Sequence, residues 1–137
     1  MIFLLGLTVA VSGPFVPGTI GGTGLQTAAR RVRADILYAR ELAMLTGVNH
    51  GANFLSAQPY TVYRQTTANP VLDPLTRQPY SQDPVTMGSV QVIGNYRVEF
   101  DPIGRPVVGG GGSVTLSSST GTRSVAVQTN TGLVEIQ

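Results

Sequence analysis

The sequence predicts an α+β fold in which one long helix packs on antiparallel β-sheets of a sandwich-like C-terminal domain. Three observations predict it. Apolar residues recur at helical steps over residues 25–47. From residue 48 onward the pattern becomes short alternating runs. Those runs are separated by turn residues, and the chain holds 17 Gly and 9 Pro. At 137 residues the chain suits one domain with one core. Its order is an apolar head (1–24), a helix (25–47) and a β region (48–137).

The head comes first. Arg30 is the first charged residue. Ile2, Phe3, Leu4, Leu5, Leu7, Val9, Ala10 and Val11 make an almost purely apolar run that reaches Val16 before Pro17. A membrane span needs about 20 such residues. Three readings fit: a signal-peptide core without its positive flank, a buried core segment, or a membrane helix whose beginning lies upstream of Met1. Pro14, Pro17, Gly18, Gly21, Gly22 and Gly24 follow. They are expected to kink or melt any helix passing through them, because Pro removes a backbone donor and Gly adds backbone freedom.

The helix comes next. Leu25, Ala29, Val32, Ile36, Ala39 and Ala43 fall on one face, in a narrow alanine-rich stripe that lets a helix lie close to a sheet. Arg30, Arg31 and Arg33 read as a solvated face just outside a membrane; lipid or nucleic-acid contact is the alternative. Asp35, four residues after Arg31, is expected to form a weak surface pair. Gly47 is the expected C-cap.

The β region is expected to hold strands at 48–55, 60–64, 89–93, 96–101, 114–118, 123–129 and 133–137. Tyr96, Val98 and Phe100 alternate with Arg97 and Glu99, the pattern of a sheet with one buried face. Residues 65–84 carry Pro70, Pro74, Pro79 and Pro84 in a polar setting and read as a long exposed loop. Gly109 to Gly112 read as a flexible hairpin tip, since they precede a strand and lack a phosphate-binding Lys.

Composition excludes several chemistries. Charged residues make up 12% of the chain, with nine basic residues, all Arg, against seven acids. The excess of +2 is too weak to imply nucleic acid. There is no Cys, so no disulfide framework and no thiolate zinc site. The single histidine, His50, is expected to be exposed or lightly packed, and any triad would have to use it. Asp35, Glu41, Asp73, Asp83, Glu99, Asp101 and Glu135 show no close pairing. Asp73 and Asp83 fit no EF-hand spacing, and Asp101 reads as the cap of its own turn. No catalytic constellation, cofactor site or metal site emerges.

Four segments carry a resemblance. They are Leu25 to Gly47, with Ala39-Arg40, Ala43 and the closing Gly47; Tyr60-Thr61-Val62-Tyr63; Val98 to Pro106, containing Phe100-Asp101-Pro102-Ile103-Gly104-Arg105; and Arg123 to Ile136. Together they resemble the GspH/FimT family of minor pseudopilins, which are type IV pilin-like. The resemblance implies a non-enzymatic structural subunit of a type II secretion system or type IV pilus. It implies a single pass through the bacterial inner membrane, a periplasmic domain, and packing through Ile2, Phe3, Leu4, Leu5, Leu7, Val9 and Val11. Its partners would be other pilins or pseudopilins and the assembly platform, with no cofactor and no small-molecule substrate. Family precursors begin with a leader ending in Gly and carry a Glu early in the mature helix; neither is found here, so the resemblance places them upstream. FimT-type members bind DNA through a Gly-Arg-x-Arg motif. The matching Gly132-Leu133-Val134-Glu135 has no arginine, which argues against that role and leaves Arg105 and Arg123 as a weak phosphate-binding pair.

Overall fold

The structure, a computed structural model, describes residues 20–82 and 90–137. One helix, α1 (Ile20–Thr46), has 27 residues and is about 40 Å long at the usual helical rise. It starts earlier than the apolar periodicity and includes Gly21, Gly22 and Gly24, so these glycines do not break it. Each costs about 1 kcal/mol relative to Ala, and no proline lies between Ile20 and Thr46 to remove a donor. The helix ends as predicted. Gly47 takes φ +75°, a left-handed cap, and its N–H donates to the Ala43 carbonyl at 3.1 Å.

The helix buries its predicted stripe. Leu25, Ala28, Ala29, Val32, Ile36, Ala39 and Ala43 are all buried. Their small side chains let the helix lie against two antiparallel sheets at once, and it touches strands of both. The first sheet holds β1 (His50–Phe54), β2 (Tyr60–Arg64), β3 (Ser81–Gln82), β5 (Tyr96–Phe100) and β6 (Pro106–Val108), in the order β3-β2-β1-β5-β6. The second holds β4 (Gln91–Ile93), β7 (Ser113–Ser118), β8 (Gly121–Val127) and β9 (Val134–Ile136), in the order β4-β7-β8-β9. In the first sheet Ala52 pairs with Val62 on one side and Val98 on the other, which sets one inward face. Phe54, Tyr60, Val62, Val98 and Phe100 line the core from that sheet. Val92, Val114, Leu116, Val125, Val127 and Val134 line it from the second.

Two expectations change. Residues 65–80 are not a free loop, because they lie along β2. Val71 N–H donates to Val62 O at 2.9 Å, and Val62 N–H donates to Tyr80 O at 3.3 Å. Pro70, Pro74 and Pro79 hide that pattern, since a proline has no ladder donor; Pro84 lies outside the described residues. The glycines 109–112 are not a hairpin tip either: they carry the chain from β6 in one sheet to β7 in the other. Gly109 takes φ +78°, and a Cβ there would lie 2.2 Å from the Arg97 carbonyl. The Tyr96 hydroxyl donates to Gly109 O at 2.6 Å.

Candidate functional site

The motif residues that stand apart in the sequence converge at the C-terminal half of α1. Arg40 Nε donates to Gly104 O at 2.9 Å, and an Arg40 terminal nitrogen donates to Thr131 O at 3.3 Å. One helical guanidinium thus ties the turn after β5 to the turn after β8. Both turns approach it closely. A Cβ on Gly132, whose φ is +71°, would lie 2.4 Å from Gly104 O, 3.0 Å from Arg40 Nε and 3.3 Å from the Phe100 ring. Gly104 takes φ +91°. Glycine is required at 132, where a Cβ would run into the Gly104 backbone; at 104 a Cβ would meet the Met44 and Arg40 side chains, and the positive φ favours glycine.

The turn itself is built by Asp101, as predicted. Its Oδ1 accepts from the backbone N–H of Ile103 at 3.0 Å and of Arg105 at 2.9 Å. Arg105 Nε pairs with Oδ2 at 3.3 Å. Partial loss of water pushes the Asp101 carboxyl up, but the Arg105 and Ile103 amides and the Arg105 charge outweigh this and hold it below its usual range. Pro102, exposed at the second turn position, presets the backbone. Phe100 is fully buried.

A second tie was not visible in the sequence. Asp35 is not a surface residue, being only 2% exposed. It accepts from the Tyr60 and Tyr80 hydroxyls, each at 2.6 Å. Arg31 lies 3.4 Å away and also donates to the Tyr80 oxygen at 3.0 Å. Burial first, and Asp35 second, push the Tyr60 phenol far above its ordinary value. Burial and the bond to Asp35 raise Tyr80 to about 12. The sequence did hold one signal. Asp35 falls three residues after Val32 and four before Ala39, on the rim of the apolar stripe.

The remaining predicted residues are scattered. Arg105 and Arg123 do not come together: Arg105, in the turn between β5 and β6, is committed to Asp101, and Arg123 is exposed on β8 of the other sheet, opposite Leu116. Arg33 Nε donates to Val134 O at 2.9 Å. With Arg30 it borders an open groove of about 660 Å³ along β9. Asp73 Oδ1 accepts from its neighbour Leu75 at 2.8 Å, a local turn. His50 is 2% exposed rather than lightly packed, because the 65–72 segment closes over the end of the sheet where sequence reading placed open loop. Ile2, Phe3, Leu4, Leu5, Leu7, Val9 and Val11 lie outside the described residues. Among the described residues no group of three His, Asp or Glu side chains is placed to hold a metal. No described helix is long and apolar enough to cross a membrane.

What the site does chemically is hold. Carboxyl, hydroxyl, guanidinium and carbonyl groups are consumed in fixing helix to sheet. Comparison with known proteins agrees with the architecture. The family model described as type II transport protein GspH matches residues 28–132. Two crystal structures of the Pseudomonas aeruginosa type IV minor pilin FimU share the fold at 16% sequence identity. The first has a TM-score of 0.63, covering 88% of this chain and 92% of that one. The second, in another crystal form, has a TM-score of 0.59, with coverages of 82% and 92%. No curated protein matches the chain.

Proposed function

The chain belongs to the GspH family of type II transport proteins, and from that premise we propose that it is a minor pseudopilin-like structural subunit. It works in a type II secretion system or a type IV pilus by assembly, at the tip or during initiation of the filament. The apolar head anchors it in the bacterial inner membrane, and the β domain stands in the periplasm. In the filament the head packs against like helices. Kept from water there, each of Phe3, Leu4, Leu5, Leu7 and Val9 is favoured by about 1.5–3 kcal/mol over exposure to solvent. The partners are other pilins or pseudopilins and the inner-membrane platform.

One observation supports this reading above the rest. Arg40, Gly104 and Gly132, which come from three separate family-like segments, are used together to fix α1 to the sheets. Such a joint makes the helix a rigid handle for the domain it carries. Deletion of the gene tests the reading. Loss of secreted protein or of surface pili, restored by the wild-type gene but not by Leu5→Glu, is the expected result. Unchanged secretion and piliation on deletion would reduce the protein to a tethered periplasmic domain.

A further inference from the structure

β9 is an edge of the second sheet, with β8 as its one neighbour there. Its backbone groups divide by position. Ser124 and Gln137 exchange both of their backbone bonds, and Gln128 N–H donates to Leu133 O at 2.9 Å. Bonded positions alternate along an antiparallel ladder. Residues 133, 135 and 137 therefore turn toward β8, while Val134 and Ile136 turn their N–H and C=O groups to the open edge. Arg33 agrees with that direction, since its Nε reaches Val134 O from α1 at 2.9 Å. Among the described residues the Val134 N–H and both Ile136 groups have no partner. Val134 is only 3% exposed. Its N–H is thus an unpaired donor at a nearly buried residue, which folded proteins seldom leave unmatched.

That edge forms one wall of the open groove of about 660 Å³, and Arg30 and Arg33 form the other. The two arginines stand three residues apart, as neighbours on one helix face. The bond from Nε positions Arg33 and leaves its terminal nitrogens without a partner among the described residues. Arg30 is exposed and makes no hydrogen bond or ion pair among them. Glu135 is the one acid at the groove. Side chains alternate along a strand. With Val134 and Ile136 packed inward, Glu135 stands on the outer face, where Gln128 Nε2 lies 3.5 Å from its carboxylate.

The two walls make different demands. The arginines are matched by an anion, best by a carboxylate. The edge needs acceptors for two N–H groups and a donor for the Ile136 carbonyl. A free anion meets the first demand and is repelled by that carbonyl. An extended peptide with acidic side chains meets both, its main chain adding to the sheet edge and its carboxylates reaching the helix. Arg33 covers the Val134 carbonyl, so the added main chain bonds the Val134 N–H and both groups of Ile136. We propose that the edge of β9, with Arg30 and Arg33, binds an extended acidic segment of a partner protein by strand addition.

The test uses the intact chain in micelles of an uncharged detergent, followed by NMR at the Val134 and Ile136 amides and the Arg33 Nε–H. The probe is the end-blocked peptide Thr-Val-Glu-Val-Glu-Val-Thr. Its controls are the same peptide with Lys for Glu, and the acidic peptide with its central amides N-methylated. The acidic peptide is expected to shift the three signals saturably and to slow exchange of the Val134 and Ile136 amides, while both controls leave them unmoved. Arg33→Gln also removes the bond to Val134, so the deciding variant is the exposed Arg30→Glu. It is expected to weaken binding about tenfold. Silence with the acidic peptide, equal binding of either control, or undiminished binding to Arg30→Glu would overturn the proposal. So would inorganic phosphate or a short DNA duplex that moves the same signals as strongly as the peptide, since that is an anion site and not a strand edge.

Discussion

The helix is tied to its sheets in two places, and the two ties use opposite chemistry. At Asp35 the tie is buried and runs between side chains, with one carboxyl accepting from two phenols beside Arg31. At Arg40 it is half-exposed, and the partners are backbone carbonyls of two turns. The difference bears on how each tie fails. A buried carboxyl is costly to orphan but replaceable as a set, because an apolar group of the same shape needs no partner. A guanidinium on backbone carbonyls fixes where two turns run, and no change of side chains in those turns restores it. The first tie contributes stability, and the second specifies the path of the chain.

The largest loss is expected at Asp35. Asp35→Ala leaves two phenol hydroxyls and Arg31 without their acceptor, at a cost of about 3–5 kcal/mol in urea unfolding. Combining Asp35→Leu with Tyr60→Phe and Tyr80→Phe is expected to recover most of that loss. A triple variant as unstable as the single would show that the tie specifies the chain path after all. Next is Gly132→Ala. It places a methyl group 2.4 Å from the Gly104 carbonyl at positive φ, a cost of about 2–3 kcal/mol. Gly47→Ala, also at positive φ but with nothing within 4 Å, should cost about 1 kcal/mol. Equal losses at the two sites would mean that conformation alone, without close approach, makes Gly132 necessary.

Arg40→Gln removes the donors to both turns and is expected to cost about 1.5–3 kcal/mol. Its clearer mark is faster amide exchange at Gly104 and Gly132 while β1 and β2 stay protected. The smallest effect is alkaline. Tyr80 and Tyr96 are raised to about 12 from an ordinary 10.0, Tyr80 by burial and the bond to Asp35, Tyr96 by burial. A phenol whose folded value is raised contributes stability that is complete below pH 10 and lost as pH rises toward 12. Stability should therefore fall across that window. In Asp35→Asn one phenolate absorption step should move back toward the ordinary value. An unmoved step would remove Asp35 as a contributor.

Local pattern made much of this legible. The stripe from Leu25 to Ala43 is buried as its spacing predicts, and β5 alternates as written. The Asp101 turn was visible because its donors are two and four residues away. What the sequence hid depends on distant partners. Asp35 meets Tyr60 and Tyr80 across 25 and 45 residues, so its local spacing to Arg31 suggested only a surface pair. β6 opens on Pro106, which an edge strand tolerates but which reads as a break. His50 is buried by a segment whose prolines made it look like free loop.

A subunit that acts by assembly has to be found in the filament itself. Shearing filaments from the native bacterium, separating them from membranes, and probing for this chain tests it most directly. The chain is expected in the filament fraction, well below the major subunit in amount, and Leu5→Glu is expected to remove it from that fraction. A chain found only in the membrane fraction, with filaments of normal number and length in its absence, would rule out a role in the filament.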